Sequence, residues 1–259
     1  MRVARRMMSL GVVVALVCLL TSSQVEPVAG RVNVYGDSLS VQASAPISRL
    51  LADAGFTFES HSIGGTALCD ELGQMRLDAT RVTRPKVVVV AFIGNNQTPC
   101  VEHPDGSPLT GDALRERYAF DLKIVHDIWA PTHTPVVLLG APATEDDDRL
   151  DYDEMLRSAA SRYGFWYEDT TPDLSPDNRY VSSLPCAPYE LASVGTCTGA
   201  VIDGVRHNVV RSPDGVHLCP DRSWVPSYDT PTCPVYASGE VRWAYHVLDG
   251  VRHAIPADS

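Results

Sequence analysis

The 259-residue sequence is short of positive charge. Its 21 lysines and arginines face 32 aspartates and glutamates, for a formal net charge of −11. An acidic body repels phosphate backbones and anionic headgroups, so nucleic acid is excluded as the main partner. Glycine-rich phosphate loops are missing: neither Gly-x-Gly-x-x-Gly nor a Gly-Lys-Ser/Thr cradle occurs. There is no His-Glu-x-x-His, no Cys-x-x-Cys and no Cys/His spacing suited to a metal, so no metal or organic cofactor is expected. Internal repeats and low-complexity tracts are absent. Beyond residue 30 no apolar run approaches the roughly 20 residues that a bilayer requires.

What is present begins with a leader. Arg2, Arg5 and Arg6 precede a nearly unbroken apolar run from Leu10 to Leu20, which Thr21-Ser22-Ser23 ends. Residues 1–30 therefore read as a secretory signal, cut after Ser23 or near Ala29-Gly30, with an uncleaved membrane anchor as the alternative. Residues 31–259 remain, enough for a single domain with a real core, and a monomer is expected. Outside the leader stand six cysteines, an even number that favours disulfides in an oxidising compartment. Several pairings are open. Pairing in sequence order, Cys69–Cys100, Cys186–Cys197 and Cys219–Cys233, is the expectation.

Periodicity points to alternating strands and helices. Strands are expected at Arg31–Tyr35, Phe56–Ser60, Lys86–Ile93, Pro135–Ala141 and Phe165–Glu168. The continuous β-branched run Val87-Val88-Val89-Val90 marks a central strand covered on both faces. Helical spacing covers Val41–Ala54, Leu68–Arg84, Asp112–Trp129, Asp147–Tyr163 and Ser238–Ala254. Glu145-Asp146-Asp147-Asp148 fits the start of a helix, where the dipole favours acids, better than a calcium site. Thr171–Pro234 holds four of the six cysteines and many prolines and glycines, and reads as a long stapled loop. The pattern predicts an α/β fold, helices on both sides of a mainly parallel sheet.

Three stretches can carry chemistry. Val32–Tyr35 ends in Gly36-Asp37-Ser38, which delivers a serine to the end of a strand. In open α/β sheets ligands bind beyond such ends. Gly94-Asn95-Asn96 follows the most apolar strand. Asp214-Gly215-Val216-His217 lies late in the chain, where a turn can present both side chains to one cleft. A serine hydroxyl needs a base and the base an orienting group, roles open to His217 and Asp214. Backbone N–H groups at Ser38 and Gly65 and the side-chain amide of Asn96 could stabilise an oxyanion. Taken singly, Ser38 is equally a helix cap, Gly64-Gly65 a turn, and Asp214 and His217 ordinary surface residues. Their order and placement favour the chemical reading.

That ordered set resembles the SGNH hydrolases, also called the GDSL esterase/lipase family, over essentially the whole chain after the leader. Gly36-Asp37-Ser38-Leu39 matches the first block, Gly65 (or Gly64) the second, Gly94-Asn95-Asn96 the third, and Asp214 with His217 the last. Gln97 departs from the aspartate usual after the third block, and His61-Ser62 stand where an asparagine is often found. The cysteine-rich form looks like secreted actinobacterial members. The resemblance implies a three-layer α/β/α sandwich of flavodoxin-like type, with a Ser38–His217–Asp214 triad. It implies a secreted ester hydrolase whose substrate is a small-molecule, lipid or acylated-glycan ester. Two alternatives stand: an acyltransferase or deacetylase acting on a glycan, and a catalytically silent binding module. Trp224 is a candidate substrate contact.

Overall fold

The structure, a computed structural model, describes residues 30–147, 149–220, 233 and 236–255. The expected leader up to residue 29, and Trp224, lie outside these residues.

Five strands form one parallel sheet: β1 (Gly30–Gly36), β2 (Phe56–Ser62), β3 (Val87–Ala91), β4 (Val136–Leu139) and β5 (Trp166–Glu168). Their order is β2-β1-β3-β4-β5, the flavodoxin-like arrangement. All five residues of β3 and all four of β4 are buried, as the unbroken valine and leucine runs require. Helices α1 (Ser38–Gln42), α2 (Ser44–Asp53) and the last helix cover one face. On the other lie α3 (Leu68–Ala79), α4 (Gly111–Trp129) and α5 (Leu150–Tyr163). This is the expected three-layer α/β fold. Between β1 and β3 the connections turn to opposite faces, which opens a crevice at the carboxyl ends of these two strands.

Three helix boundaries differ from the periodicity. The stretch expected as one helix over Val41–Ala54 breaks at Ala43. Pro46 has no N–H to donate to the Gln42 carbonyl and its ring would crowd that group, so the turn cannot run through. Helix α3 stops at Ala79 instead of Arg84, where the Thr80 hydroxyl donates to the Leu77 carbonyl at 2.7 Å. Helix α5 starts at Leu150, so Glu145, Asp146 and Asp147 precede it, and Asp151 and Asp153 occupy its first turn.

The expected loop from Thr171 to Pro234 holds more structure than its composition suggests. After α6 (Thr171–Leu174) come β6 (Ser183–Pro185), α7 (Pro188–Ala192), β7 (Val201–Ile202) and β8 (Val205–Val209). The three strands make a small antiparallel sheet, ordered β6-β8-β7. The chain closes with α8 (Ser238–Ala254), which has the bounds expected from spacing and buries Trp243, Val247 and Val251. The cysteines lie at disulfide distance in sequence order, with Cα separations of 6.2 Å for Cys69–Cys100, 5.8 Å for Cys186–Cys197 and 5.7 Å for Cys219–Cys233. Such pairs belong to an oxidising compartment. Among the described residues no helix is long and apolar enough to cross a membrane.

Burial leaves a signature in the titration of this fold. It pushes the carboxyls of Asp37 and Asp153 up to about 6, Glu71 to about 7 and Glu240 to about 8. Burial would lower His246, but its pairing with the Asp173 and Glu168 carboxylates outweighs that and raises the imidazole to about 9. In each case the folded chain holds a proton that the unfolded chain releases earlier. Their contribution is complete below the unfolded pKa values and is lost as pH rises through the folded ones. Asp169, Glu190 and Asp214 run the other way: burial opposes their ionisation, but hydrogen bonds prevail and hold them below the usual range. Their contribution is lost only in acid. The expected outcome is a thermal midpoint highest near pH ~5 that declines toward pH ~9, with Glu240→Gln flattening the upper part of the decline. A midpoint that climbs between those values would contradict this account.

Candidate active site

The site is built on the end of β1. Gly36 ends the strand, Asp37 caps the next turn, and Ser38 is its first helical residue. No side chain fits at Gly36: a Cβ there would lie 2.9 Å from the Ala91 carbonyl oxygen and within 2.7 Å of the Ser40 side chain. The fully buried Asp37 carboxylate ties two segments together, its own turn and the loop after β3. One oxygen accepts from the Leu39 N–H at 3.1 Å. The other accepts from the Ile93 N–H at 2.8 Å and the Asn95 amide at 3.3 Å. Ser38 is thereby locked against the loop that follows β3.

From the far end of the chain, the 211–218 turn brings His217 to this serine. Its Nε2 lies 3.0 Å from Ser38 Oγ, and its Nδ1 lies 2.8 Å from Asp214 Oδ2. The other Asp214 oxygen accepts from the Val216 and His217 N–H groups, each at 2.9 Å. Burial works against ionisation of Asp214, but these two N–H groups and the imidazole prevail and keep its carboxyl below the usual range. A charged Asp214 holds the proton of the ring on Nδ1 and leaves Nε2 to accept from the serine hydroxyl.

The oxyanion candidates lie around the same point. Gly64 and Gly65 follow β2 and line a cavity of about 800 Å³ together with Ser38, Asn95, Asn96 and His217. Gly64 is the glycine packed on the serine: a Cβ there would sit 3.8 Å from Ser38 Cβ. One at Gly65 would meet nothing within 4 Å, and Gly65 has φ +80, where glycine is favoured. The two asparagines differ in commitment. Asn95 donates from Nδ2 to both Asp37 Oδ2 and the Thr66 carbonyl, at 3.3 and 3.1 Å. Asn96 donates to the Leu109 carbonyl at 2.9 Å, and its amide carries a second N–H.

Several positioning residues carried no recognised sequence signal. Gln42 stands one helical turn after Ser38, and its Oε1 accepts from the Leu218 N–H at 2.8 Å, which docks the histidine turn on α1. Arg211 is fully buried under that turn. It donates to the Val216 carbonyl at 2.8 Å and to the Ala143 carbonyl, and burial drives its guanidinium down to about 10. The Tyr118 and Tyr152 hydroxyls donate to the Asn95 and Phe92 carbonyls at 2.9 and 3.0 Å, bracing the loop after β3 from behind. Spacing sets Tyr118 on an apolar helix stripe but gives its hydroxyl no role. Arg149 lines the cavity as well. Its only hint in the sequence is a cation set directly after an acidic run.

No protein-family model matches the sequence, and no curated protein matches it. Solved structures do. LAE5, an α/β hydrolase enzyme from the metagenome of Lake Arreo, Spain, superposes with a TM-score of 0.53 at 13% identity, over 90% of this chain and 99% of that one. A GDSL-like lipase from Bacteroides thetaiotaomicron gives 0.48 at 12% identity, over 87% and 89%. A variant of an acetyl xylan esterase from Geobacillus stearothermophilus gives 0.43 at 14% identity, over 61% and 89%. At 13% identity the likeness to LAE5 is one of fold alone.

Proposed function

We propose that this chain is a secreted serine ester hydrolase. The observation that carries the reading is the continuous hydrogen-bonded run from Asp214 through His217 to Ser38, at the wall of a cavity of about 800 Å³. Ser38 Oγ attacks the ester carbonyl carbon as His217 Nε2 takes its proton, and the imidazolium is stabilised by Asp214. The negative charge that develops on the carbonyl oxygen is met by N–H groups of Ser38, the Gly64-Gly65 turn and Asn96. The carbon–oxygen bond to the alcohol then breaks, and His217 returns the proton to the departing alkoxide. Water adds to the acyl-enzyme by the same route, giving its proton to His217. Ser38 recovers that proton as the acid leaves. The scheme uses no cofactor. The description of LAE5 as a hydrolase accords with it.

A fluorophosphonate probe tests the reading directly. The oxidised, folded protein should label at Ser38 and turn over a nitrophenyl ester series. A folded protein that does neither is a binding module at most. The disulfides supply a second check, because two of them hold loops of the site. Cys69–Cys100 joins the start of α3 to the turn after Gly94–Gln97, and Cys219 lies two residues beyond His217. Each bridge is worth about 2–4 kcal/mol. Mild reduction should therefore lower both activity and the thermal midpoint. Unchanged activity in a sample shown to be reduced would count against this bracing role.

A further inference from the structure

Arg149 is a cation inside the cavity of an acidic protein, and the triad chemistry leaves it without a task. It lines the cavity with Ser38, His217 and Gly94. A Cβ built on Gly94 would sit 3.3 Å from Arg149 Nη1, so the guanidinium lies directly on the glycine that opens the oxyanion loop. With a net charge of −11, a positive group here does not follow from general basicity.

The backbone is arranged to keep it there. Arg149 has φ 61 and ψ 10, the left-handed region that a residue with a Cβ seldom adopts. Two hydrogen bonds hold that conformation: the Arg149 N–H donates to Asp147 Oδ1 and the Asp153 N–H donates to the Arg149 carbonyl, both at 2.9 Å. Strain of this kind persists where the surroundings over-determine it, often at sites of function.

The guanidinium is under-used. Its side chain is 19% exposed, and among the described residues one ion pair engages it, Nη1 to Asp147 Oδ2 at 3.2 Å. The Asp147 side chain is 52% exposed, and such a solvated pair holds an arginine weakly. Arg149 Nε is buried and has no hydrogen-bond partner among the described residues. The donors that can meet a ligand are therefore those at the tip of the guanidinium, which borders the cavity beside Gly94. A planar fork with donors to spare suits a carboxylate, which can take two parallel N–H bonds.

We propose that Arg149 forms an anion subsite of the catalytic cavity, and that the preferred substrates are esters bearing a carboxylate near the scissile carbonyl. The proposal rests on the serine-hydrolase reading for the word ester, and on Arg149 alone for the word carboxylate. Two matched pairs of substrates separate the acyl side from the alcohol side. The first is mono-4-nitrophenyl adipate against 4-nitrophenyl hexanoate, the second 4-acetoxybenzoate against 4-acetoxybenzamide. In at least one pair the charged member should have the higher kcat/KM. Arg149→Gln should cut that charged-to-neutral ratio by about tenfold or more, with Arg149→Lys in between. A ratio is used so that any general loss in the variant cancels. Ratios that are equal in the wild type and Arg149→Gln for both pairs overturn the proposal.

Binding provides a readout without turnover. Calorimetry with adipate should show binding to Ser38→Ala that weakens about tenfold or more when Arg149→Gln is added. Adipate binding that depends on Arg149, in a chain that cleaves no ester, would retain the anion subsite and remove the hydrolase reading. Cleavage of neutral esters without a charge preference or adipate binding would remove the subsite and retain the hydrolase.

Discussion

Ser38→Ala is expected to lower kcat/KM for a nitrophenyl ester by about 10⁵-fold or more while the thermal midpoint hardly moves. The two halves of this expectation come from different atoms. The hydroxyl oxygen of Ser38 is 3.0 Å from His217 Nε2, so its removal takes away the proposed nucleophile. The architecture around it depends on Asp37, whose contacts to Leu39, Ile93 and Asn95 do not involve the hydroxyl. Residues that act as one unit do not lose activity additively. Adding His217→Ala to Ser38→Ala should therefore produce little further loss. Asp214→Asn should cost about 10⁴-fold, because an amide cannot hold the same imidazole tautomer. If the single losses multiply in the double variant, Ser38 and His217 act independently and the relay is not the mechanism.

Much of the fold is legible because its rules are local. Val87–Val90 can only be a strand buried on both sides, and α8 shows its apolar stripe from Val241 to Val251. Pro46 marks its break in plain view as well, but a periodicity rule weighs only the apolar spacing over Val41–Ala54. Strands β6, β7 and β8 are two to five residues long, too short for alternation to register. β6 pairs with β8 over more than twenty positions, as Ser183 with Val209, whereas β7 and β8 form a hairpin across Asp203-Gly204, a local turn signal that apolar periodicity does not weigh. The site divides in the same way. Gly36-Asp37-Ser38 and Asp214-x-x-His217 stand out as motifs, and their meeting across 179 positions is a property of the order of motifs along the chain. Arg211, Gln42 and Arg149 had no such flag. Their partners are a carbonyl 68 residues away, an N–H 176 residues away and a cavity wall, none of which has a sequence period.

The second large effect separates two adjacent asparagines. Asn96→Ala is expected to lower kcat by about 10²- to 10³-fold with little change in KM, the pattern of a donor used mainly in the transition state. Its amide is anchored by a single donation to the Leu109 carbonyl, which fixes the side chain and leaves a second N–H for an oxygen in the cavity. Asn95→Ala should behave differently. That amide reaches both Asp37 Oδ2 and the Thr66 carbonyl, so its loss deprives the buried carboxylate of one donor and unties the Gly64-Gly65 turn from the loop after β3. The expected mark is a stability loss of about 1–3 kcal/mol, with activity falling as a consequence. Asn96→Ala with normal kcat, beside an Asn95→Ala that is stable and inactive, would exchange the two assignments. Because no hydrogen bond joins Gln97 to the Asn96 amide among the described residues, Gln97→Ala should leave the stability of the loop nearly unchanged. A large effect there would mean that the Leu109 carbonyl is not what holds Asn96 in place.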